Sequence, residues 1–372
     1  MEKKLLLSTV LLVFLLANLF TPSGKADTAD DAAKLYLKQH ELIMKKNSAK
    51  AQLDGKTITA DPFLIRNGRT YVPLKLIRDL DMGSVQWIPK NQAVRIELKE
   101  EYLNRKAEFR VGKPYMYEED GTAWPEPAIP EPFNLNGRVY LSVKGLSVLG
   151  ISASYQNGTL KWAWSEKRID LLKPRIKAES SKISFTVLSE EGLYAPQYMT
   201  STGLNGWSGS TGQVVEKGIS MDGKTFNRVK FSIDLNPGIN PVQVTAVSMG
   251  SKTLELLWEP EKDIQVPISD DKGLEITEPA KGYLTLSKGG TLTIQGKIKV
   301  NGKNLPVDEF TFYTSKYSNL DWKVINQEKA PVKNQQFSKK ITFTEPGYYY
   351  INIYGPDIRY TTSWSHIIVK VN

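Results

Sequence analysis

Asn67-Gly68-Arg69-Thr70-Tyr71-Val72-Pro73-Leu74 returns further along the chain as Asn136-Gly137-Arg138-Val139-Tyr140-Leu141-Ser142-Val143. In each copy an Asn-Gly pair, which tolerates the positive φ of a tight hairpin turn, leads into an alternating strand. A short helical segment follows, and its apolar positions match: Leu74, Ile77 and Leu80 against Val143, Leu146 and Leu149. Each copy continues through an aromatic (Trp87 or Tyr155), a turn (Pro89-Lys90-Asn91 or Asn157-Gly158) and another alternating strand (Val94/Ile96 or Leu160/Trp162). Matching helix faces and matching strand registers identify an internal repeat.

The same turn chemistry runs through the rest of the chain. Asn-Gly occurs at 67, 136, 157, 205 and 301, and Asp-Gly at 54, 120 and 222. Turns at this density, with few helical stretches between them, predict a mainly β protein. Ahead of the repeats the texture differs. Residues 1–26 read as an export signal: Lys3 and Lys4, an uncharged run Leu5–Phe20, then Gly24-Lys25-Ala26 before a cut at Asp27. The run is shorter than the ~20 residues of a spanning helix. Thr28–Asn47 follows with Ala32, Leu35, Tyr36, Leu42 and Ile43 at roughly helical spacing, Asp30 and Asp31 near its start and Lys45 and Lys46 at its end. These features predict one amphipathic helix, with His40 on its solvated face.

The repeat pattern, together with the opening Leu53-Asp54-Gly55-Lys56, resembles the copper amine oxidase N-terminal-like, or stalk, domain of exported bacterial proteins. The first copy, Leu53–Leu98, matches closely. The second departs from the pattern at Ser142, which replaces the motif proline, and carries the insertion Trp124–Pro132. The resemblance implies a small α+β unit in which an antiparallel sheet wraps a short helix, in a Gram-positive-type envelope. It does not imply copper, because the metal of those oxidases belongs to a separate catalytic domain with a histidine cluster.

Two strand-rich segments follow. Arg175–Pro260 contains period-two runs at Ile183–Val187, Val229–Ile233 and Val242–Val247, and its Leu235-Asn236-Pro237-Gly238-Ile239-Asn240 resembles a corner of bacterial immunoglobulin-like modules. Leu274–Asn372 repeats the style, with Glu345-Pro346-Gly347 leading into Tyr348–Tyr354. The predicted fold class is therefore mainly β and multidomain, a small α+β stalk-like domain followed by two immunoglobulin-like β-sandwiches. The predicted divisions are a signal peptide (1–26), an amphipathic helical leader (27–50), the stalk-like domain with two degenerate repeats (51–168), a β-sandwich (175–262) and an immunoglobulin-like β-sandwich (272–372).

Composition narrows the chemistry. The 372 residues contain no cysteine, which excludes disulfides, thiolate metal sites and a cysteine nucleophile. Two histidines, His40 and His366, are too few for a histidine metal cluster, and no cofactor or metal set is legible. His366, in Ser363-Trp364-Ser365-His366, lacks the acid and nucleophile pattern of a hydrolase and reads as a strand-edge or packed residue. Glu118-Glu119-Asp120 and Asp270-Asp271 read as hydrophilic turns, although acidic pairs can converge in space. The net charge of +9 is spread along the chain without a polybasic block, favouring diffuse attraction to anionic wall polymer or membrane surfaces and not nucleic acid.

Aromatic residues are the remaining ligand-binding candidates. Tyr194, Tyr198 and Trp207 fall in a Gly/Ser/Thr-rich stretch, and Tyr313, Tyr317 and Trp322 in a comparable polar stretch of the last segment. Exposed rings of this kind stack on sugars; the alternative is that each ring fills a core. The function expected from the whole is that of an exported, non-catalytic cell-envelope scaffold or binding module, secreted or wall-associated after cleavage near Ala26. Its partners would be wall polysaccharide, anionic wall polymer or a surface protein. Two alternatives stand beside it: a secreted carbohydrate-binding accessory protein using its loop aromatics, and an unrecognised wall-polymer hydrolase.

Overall fold

A computed structural model describes residues 31–102, 105–118, 120–124, 128–201, 207–247, 249–267, 274–298, 307–355 and 364–372. The export signal, Glu119 and Asp270-Asp271 lie outside the described residues. The chain is mainly β and multidomain.

The two repeats face each other across a pseudo-twofold axis. Strands Arg69–Pro73 and Arg138–Ser142 pair antiparallel, with Val72 directly opposite its repeat counterpart Leu141. Each leaves a hairpin whose turn residues, Asn67-Gly68 and Asn136-Gly137, all have positive φ. Each then enters a short helix, α1 (Lys75–Asp79) or α2 (Val143–Val148). Ser142, the departure from the motif proline, is the N-cap of α2, its Oγ accepting from the Gly145 amide at 3.1 Å. Leu74, Ile77, Leu146 and Leu149 are buried in one shared core.

The same symmetry corrects the predicted helical leader. Asp31–Lys45 is one long β-strand, antiparallel to Thr159–Leu171 over its length, from Ala33 opposite Leu171 to Lys45 opposite Thr159. In the first repeat Val94 faces Phe109 and Ile96 faces Ala107. In the second, Leu160 faces Met44 and Trp162 faces Leu42. Lys106–Arg110 and the end of Asp31–Lys45 are thus equivalent strands, each also pairing with a hairpin strand: Phe109 opposite Met116, Met44 opposite Ala51. A boundary at residue 50 cuts through the repeat domain.

The helical spacing has a physical origin. In a strand, alternate residues share a face. Ala33 and Leu35, with Ile169 across from Leu35, are buried in the core of the next domain. Leu42 and Met44, with Trp162 and Leu160 across from them, are buried in the repeat-domain core. Ala33 and Leu35 are odd-numbered and Leu42 and Met44 even, so the strand changes its buried face between Leu37 and His40; Ala32, buried in the same core as Ala33, lies at the irregularity between Asp31 and Ala33 and stands outside the alternation. Two period-two patterns in opposite phase imitate a 3.6-residue period.

The upper half of this ribbon belongs to the central sandwich. Asp31–Leu35 pairs parallel with Lys182–Glu190, which continues through Lys224–Asp234 to Gln213–Met221. The buried Asp31 carboxylate accepts from Arg228 Nε (3.0 Å) and Nη2 (3.2 Å) and from Thr186 Oγ1 (2.7 Å), anchoring the strand's start. The facing sheet runs Arg175–Ala178, Ser251–Trp258, Gly238–Thr245, Gln197–Ser201, Trp207–Thr211. In its corner the buried Asn240 side chain bonds the Asn236 amide and carbonyl at 2.9 and 2.8 Å. The C-terminal sandwich packs a three-stranded sheet on a five-stranded one, whose first strand, Tyr283–Leu286, runs parallel to the last, Ser365–Val371.

Because one ribbon supplies both cores, Leu35→Ala and Leu42→Ala are expected to act on the same unfolding event. Each should cost about 2–5 kcal/mol. Denaturant unfolding should show one shared transition for the repeat domain and central sandwich, moved by either substitution; two transitions, each moved by only one of them, would contradict the shared ribbon.

Candidate functional site

The middle of the ribbon, where the buried face changes, is polar. His40 is only 10% exposed in its side chain, not on a solvated face as the helical reading expected. Its Nδ1 lies 2.7 Å from Asp54 Oδ2 and its Nε2 2.8 Å from Glu166 Oε2. The ring is thus held between two carboxylates, one at each nitrogen. Its ring stacks on Trp164 at 5.3 Å. Burial alone would raise the Glu166 carboxyl, but hydrogen bonds from His40 and Arg168 outweigh it and hold the group below its usual range. Arg168 also reaches Asp170 at 3.2 Å, and Asp170 accepts from Tyr36 at 2.7 Å.

Beside this network two hollows open between the repeat domain and the central sandwich. One is an apolar cleft of about 330 Å³ whose lining includes Leu37, Met82, Tyr102, Trp164, Tyr194 and Val247. The other is a polar groove of about 770 Å³ bordered by Glu100, Glu101, Arg168, Asp170 and Lys252. Burial, reinforced by Glu166 and Glu101, pushes the Tyr102 hydroxyl up to about 12, so it stays a neutral donor. Clefts of this size at a domain junction are a common setting for small ligands.

The six aromatic candidates separate. Tyr194 is 68% exposed and stands at the rim of the apolar cleft. Tyr198 packs edge-on against Phe231 in the central core, at 5.5 Å. Trp207 opens the strand Trp207–Thr211, paired with Ser201. Tyr313 sits edge-on to Tyr354 at 5.4 Å. Trp322 is 9% exposed and, with Tyr317 and Tyr350, fills a small cluster on the outer face of the C-terminal five-stranded sheet. The packed alternative holds for Tyr198, Tyr317 and Trp322. Sequence reading missed Leu37, Met82, Trp164 and Val247, which come from four distant segments and share no motif.

The second histidine is packed as well. His366 lies opposite Asn352, stacked on Tyr350 at 5.0 Å, while the neighbouring Ser365 hydroxyl donates to the Pro267 carbonyl at 2.8 Å. In the repeat domain Asp120 accepts from the Thr122 amide at 2.8 Å as part of a turn. Among the described residues no three His, Cys, Asp or Glu side chains gather as a metal site. Nor do the histidines fit copper: His40 has both nitrogens on carboxylates, and His366 belongs to the other end of the chain.

Residues 52–163 match the copper amine oxidase N-terminal domain. Both sandwiches lie outside the match, and so does Asp31–Lys45, the strand that completes the domain's sheet. No curated protein matches the chain. Among solved structures there is similarity to the adhesin InvE of Yersinia pseudotuberculosis, at 10% identity over 54% of this chain and 57% of that one, with a TM-score of 0.19. The chain thus spans little more than half of the adhesin. Domains 4 and 5 of the S-layer protein SbsC are similar at 10% identity, over 71% and 93% of the two chains, with a TM-score of 0.18. The two-domain Dpr2 Ig1-Ig2 complex with DIP-Theta is similar at 14% identity, over 53% and 94%, with a TM-score of 0.17. Among the described residues no helix is long and apolar enough to cross a membrane.

Burial takes the His366 imidazole from its ordinary 6.5 down to about 4. Between those values the unfolded chain binds a proton that the folded protein refuses, so this contribution is complete above pH 6.5 and is lost as pH falls toward 4. At ~1.4 kcal/mol per unit the loss reaches about 3 kcal/mol. In His366→Phe, which keeps a ring against Tyr350, denaturant unfolding measured across this window should vary less with pH than in the parent. An equal slope in both proteins would show that His366 is not buried in its neutral form.

Proposed function

We propose that this chain is an exported, non-catalytic cell-envelope protein that works as a binding scaffold. The copper amine oxidase N-terminal domain and the central sandwich form one sheet-bonded body, and the C-terminal sandwich extends it. The observation that carries the reading is the junction cleft, walled by side chains of both domains and rimmed by the exposed Tyr194. The shared ribbon supplies Leu37, Trp164 and Lys167 to the cleft and ties together the domains that carry its other walls, and such preorganisation lowers the ordering cost of binding. Wall polysaccharide, anionic wall polymer or a surface protein is the expected partner class. The diffuse positive charge adds a weak, salt-sensitive attraction to anionic polymer.

A secreted carbohydrate-binding accessory role is the second reading, favoured by the exposure of Tyr194, since an open ring face stacks on sugars. Trp322, packed in the C-terminal aromatic cluster, takes no part in either reading.

Fractionation of cells into medium, wall and membrane, followed by pull-down of the purified protein on wall polymers, tests the proposal. Tyr194→Ala should weaken retention about tenfold, the worth of one aromatic contact. Trp322→Ala should lower thermal stability and leave retention unchanged at temperatures where it is folded. Retention indifferent to Tyr194→Ala would remove the cleft from the function, and turnover of a wall polymer by the parent protein would overturn the non-catalytic reading.

A further inference from the structure

Lys167 stands where the apolar cleft and the polar groove meet, and lines both. It lies opposite Leu37 in the ribbon and is half-buried. Its neighbours along the strand are spoken for: Glu166 by His40 and Arg168, Asp170 by Arg168 and Tyr36. Among the described residues Lys167 has no ion-pair or hydrogen-bond partner; only the field of Glu100 offsets the burial that pulls its ammonium below the usual value. A half-buried charge without a partner is costly, and an anion placed beside it would recover that cost.

The cleft also offers an aromatic wall for the body of a ligand: Trp164 lines it and is 6% exposed. Apart from Ser165, whose hydroxyl donates to Gln39, and two glycines, the rest of the cleft is apolar or aromatic, and its roughly 330 Å³ falls at the small end of ligand pockets. Across the groove stand Glu100 and Glu101, which would repel a second negative charge.

Resting on the reading of the cleft as a binding site, we propose that it takes a free, small, singly charged anionic amphiphile. The oxyanion, a carboxylate, would sit at Lys167, and the aliphatic or aromatic body would lie along Leu37, Trp164 and Tyr194. The acids across the groove select a monoanion over a polyanion.

Isothermal titration of the full chain with decanoate, decanol and decyltrimethylammonium, below their micelle concentrations and at low salt, tests this. Decanoate should bind at least about tenfold more tightly than decanol, the return on one charge-assisted contact. Lys167→Met keeps the aliphatic stem and should abolish that preference while leaving decanol affinity unchanged; Lys167→Arg should retain it. Tyr194→Ala should weaken both ligands. Equal binding of decanoate and decanol by the parent, or a preference that survives Lys167→Met, overturns the assignment of charge while the cleft stands as an apolar site. Tighter binding of the cationic amphiphile overturns it in favour of the two glutamates. Failure of all three to bind overturns this inference together with the cleft reading beneath it.

Discussion

The antiparallel pairing of Asp31–Lys45 with Thr159–Leu171 is the constraint on which the arrangement of the first two domains depends. It closes the pseudo-symmetric repeat by joining the first strand of one copy to the last strand of the other. It then runs on into the next domain, which no equivalent strand of the other copy does. A linker between two domains leaves their orientation free unless a large interface fixes it. A continuous hydrogen-bonded ladder with side chains in both cores leaves no such freedom, because rotating one domain against the other would break backbone pairs. Forming the ladder brings together segments separated by more than a hundred residues, and such distant pairings are paid for in loop entropy before any contact forms.

The position of the cleft follows from the same ribbon. A strand buried on one face by one core and on the opposite face by the next must pass through a stretch covered by neither. Here that stretch is Leu37–Gln39 against Ser165–Lys167, with Trp164 beside it at the edge of the repeat-domain core. The polar groups in and beside this stretch pair among themselves, with His40 between Asp54 and Glu166 and Arg168 between Glu166 and Asp170. The hollows on either side of it are the gaps left where two convex cores diverge from a shared ladder. The cleft is therefore a consequence of topology, and its residues are those that happen to flank the change of face.

This origin explains what was legible beforehand. Hairpin turns and helix faces of the repeat are local, and Asn67-Gly68, Asn136-Gly137 and the Leu235–Asn240 corner adopt the conformations their chemistry demands. The pairing partner of a strand is not local. Asp31–Lys45 carries two alternating patterns out of phase, and without knowledge of two separate cores their sum reads as a helix. Lys167 is hidden for a related reason. In Glu166-Lys167-Arg168 it looks like one of three mutually compensating charges, and only the geometry shows Arg168 taking the acids on both sides of it.

Aromatic residues illustrate the difference between a ring's chemistry and its use. Tyr194 and Trp322 occupy similar polar contexts in sequence, yet one is open to solvent and the other is packed. Tyr194 lies in the connection between Lys182–Glu190 and Gln197–Ser201, whereas Trp322 stands on a sheet face that another domain covers. The outer face of the C-terminal sheet meets the central sandwich, where the Tyr348 hydroxyl donates to Glu259 at 2.9 Å and Lys370 reaches the same carboxylate at 2.5 Å. Gly238, at φ +82° on the central sandwich, lets the Tyr348 ring approach so closely that a Cβ there would lie 3.1 Å from it. Burying rings on both faces of one sheet serves both the internal core and the seam with the next domain. Trp322 and its neighbours thus stiffen a joint, as the ribbon stiffens the first, and a chain with two such joints holds Tyr194 and the cleft at a fixed place relative to the domains on either side.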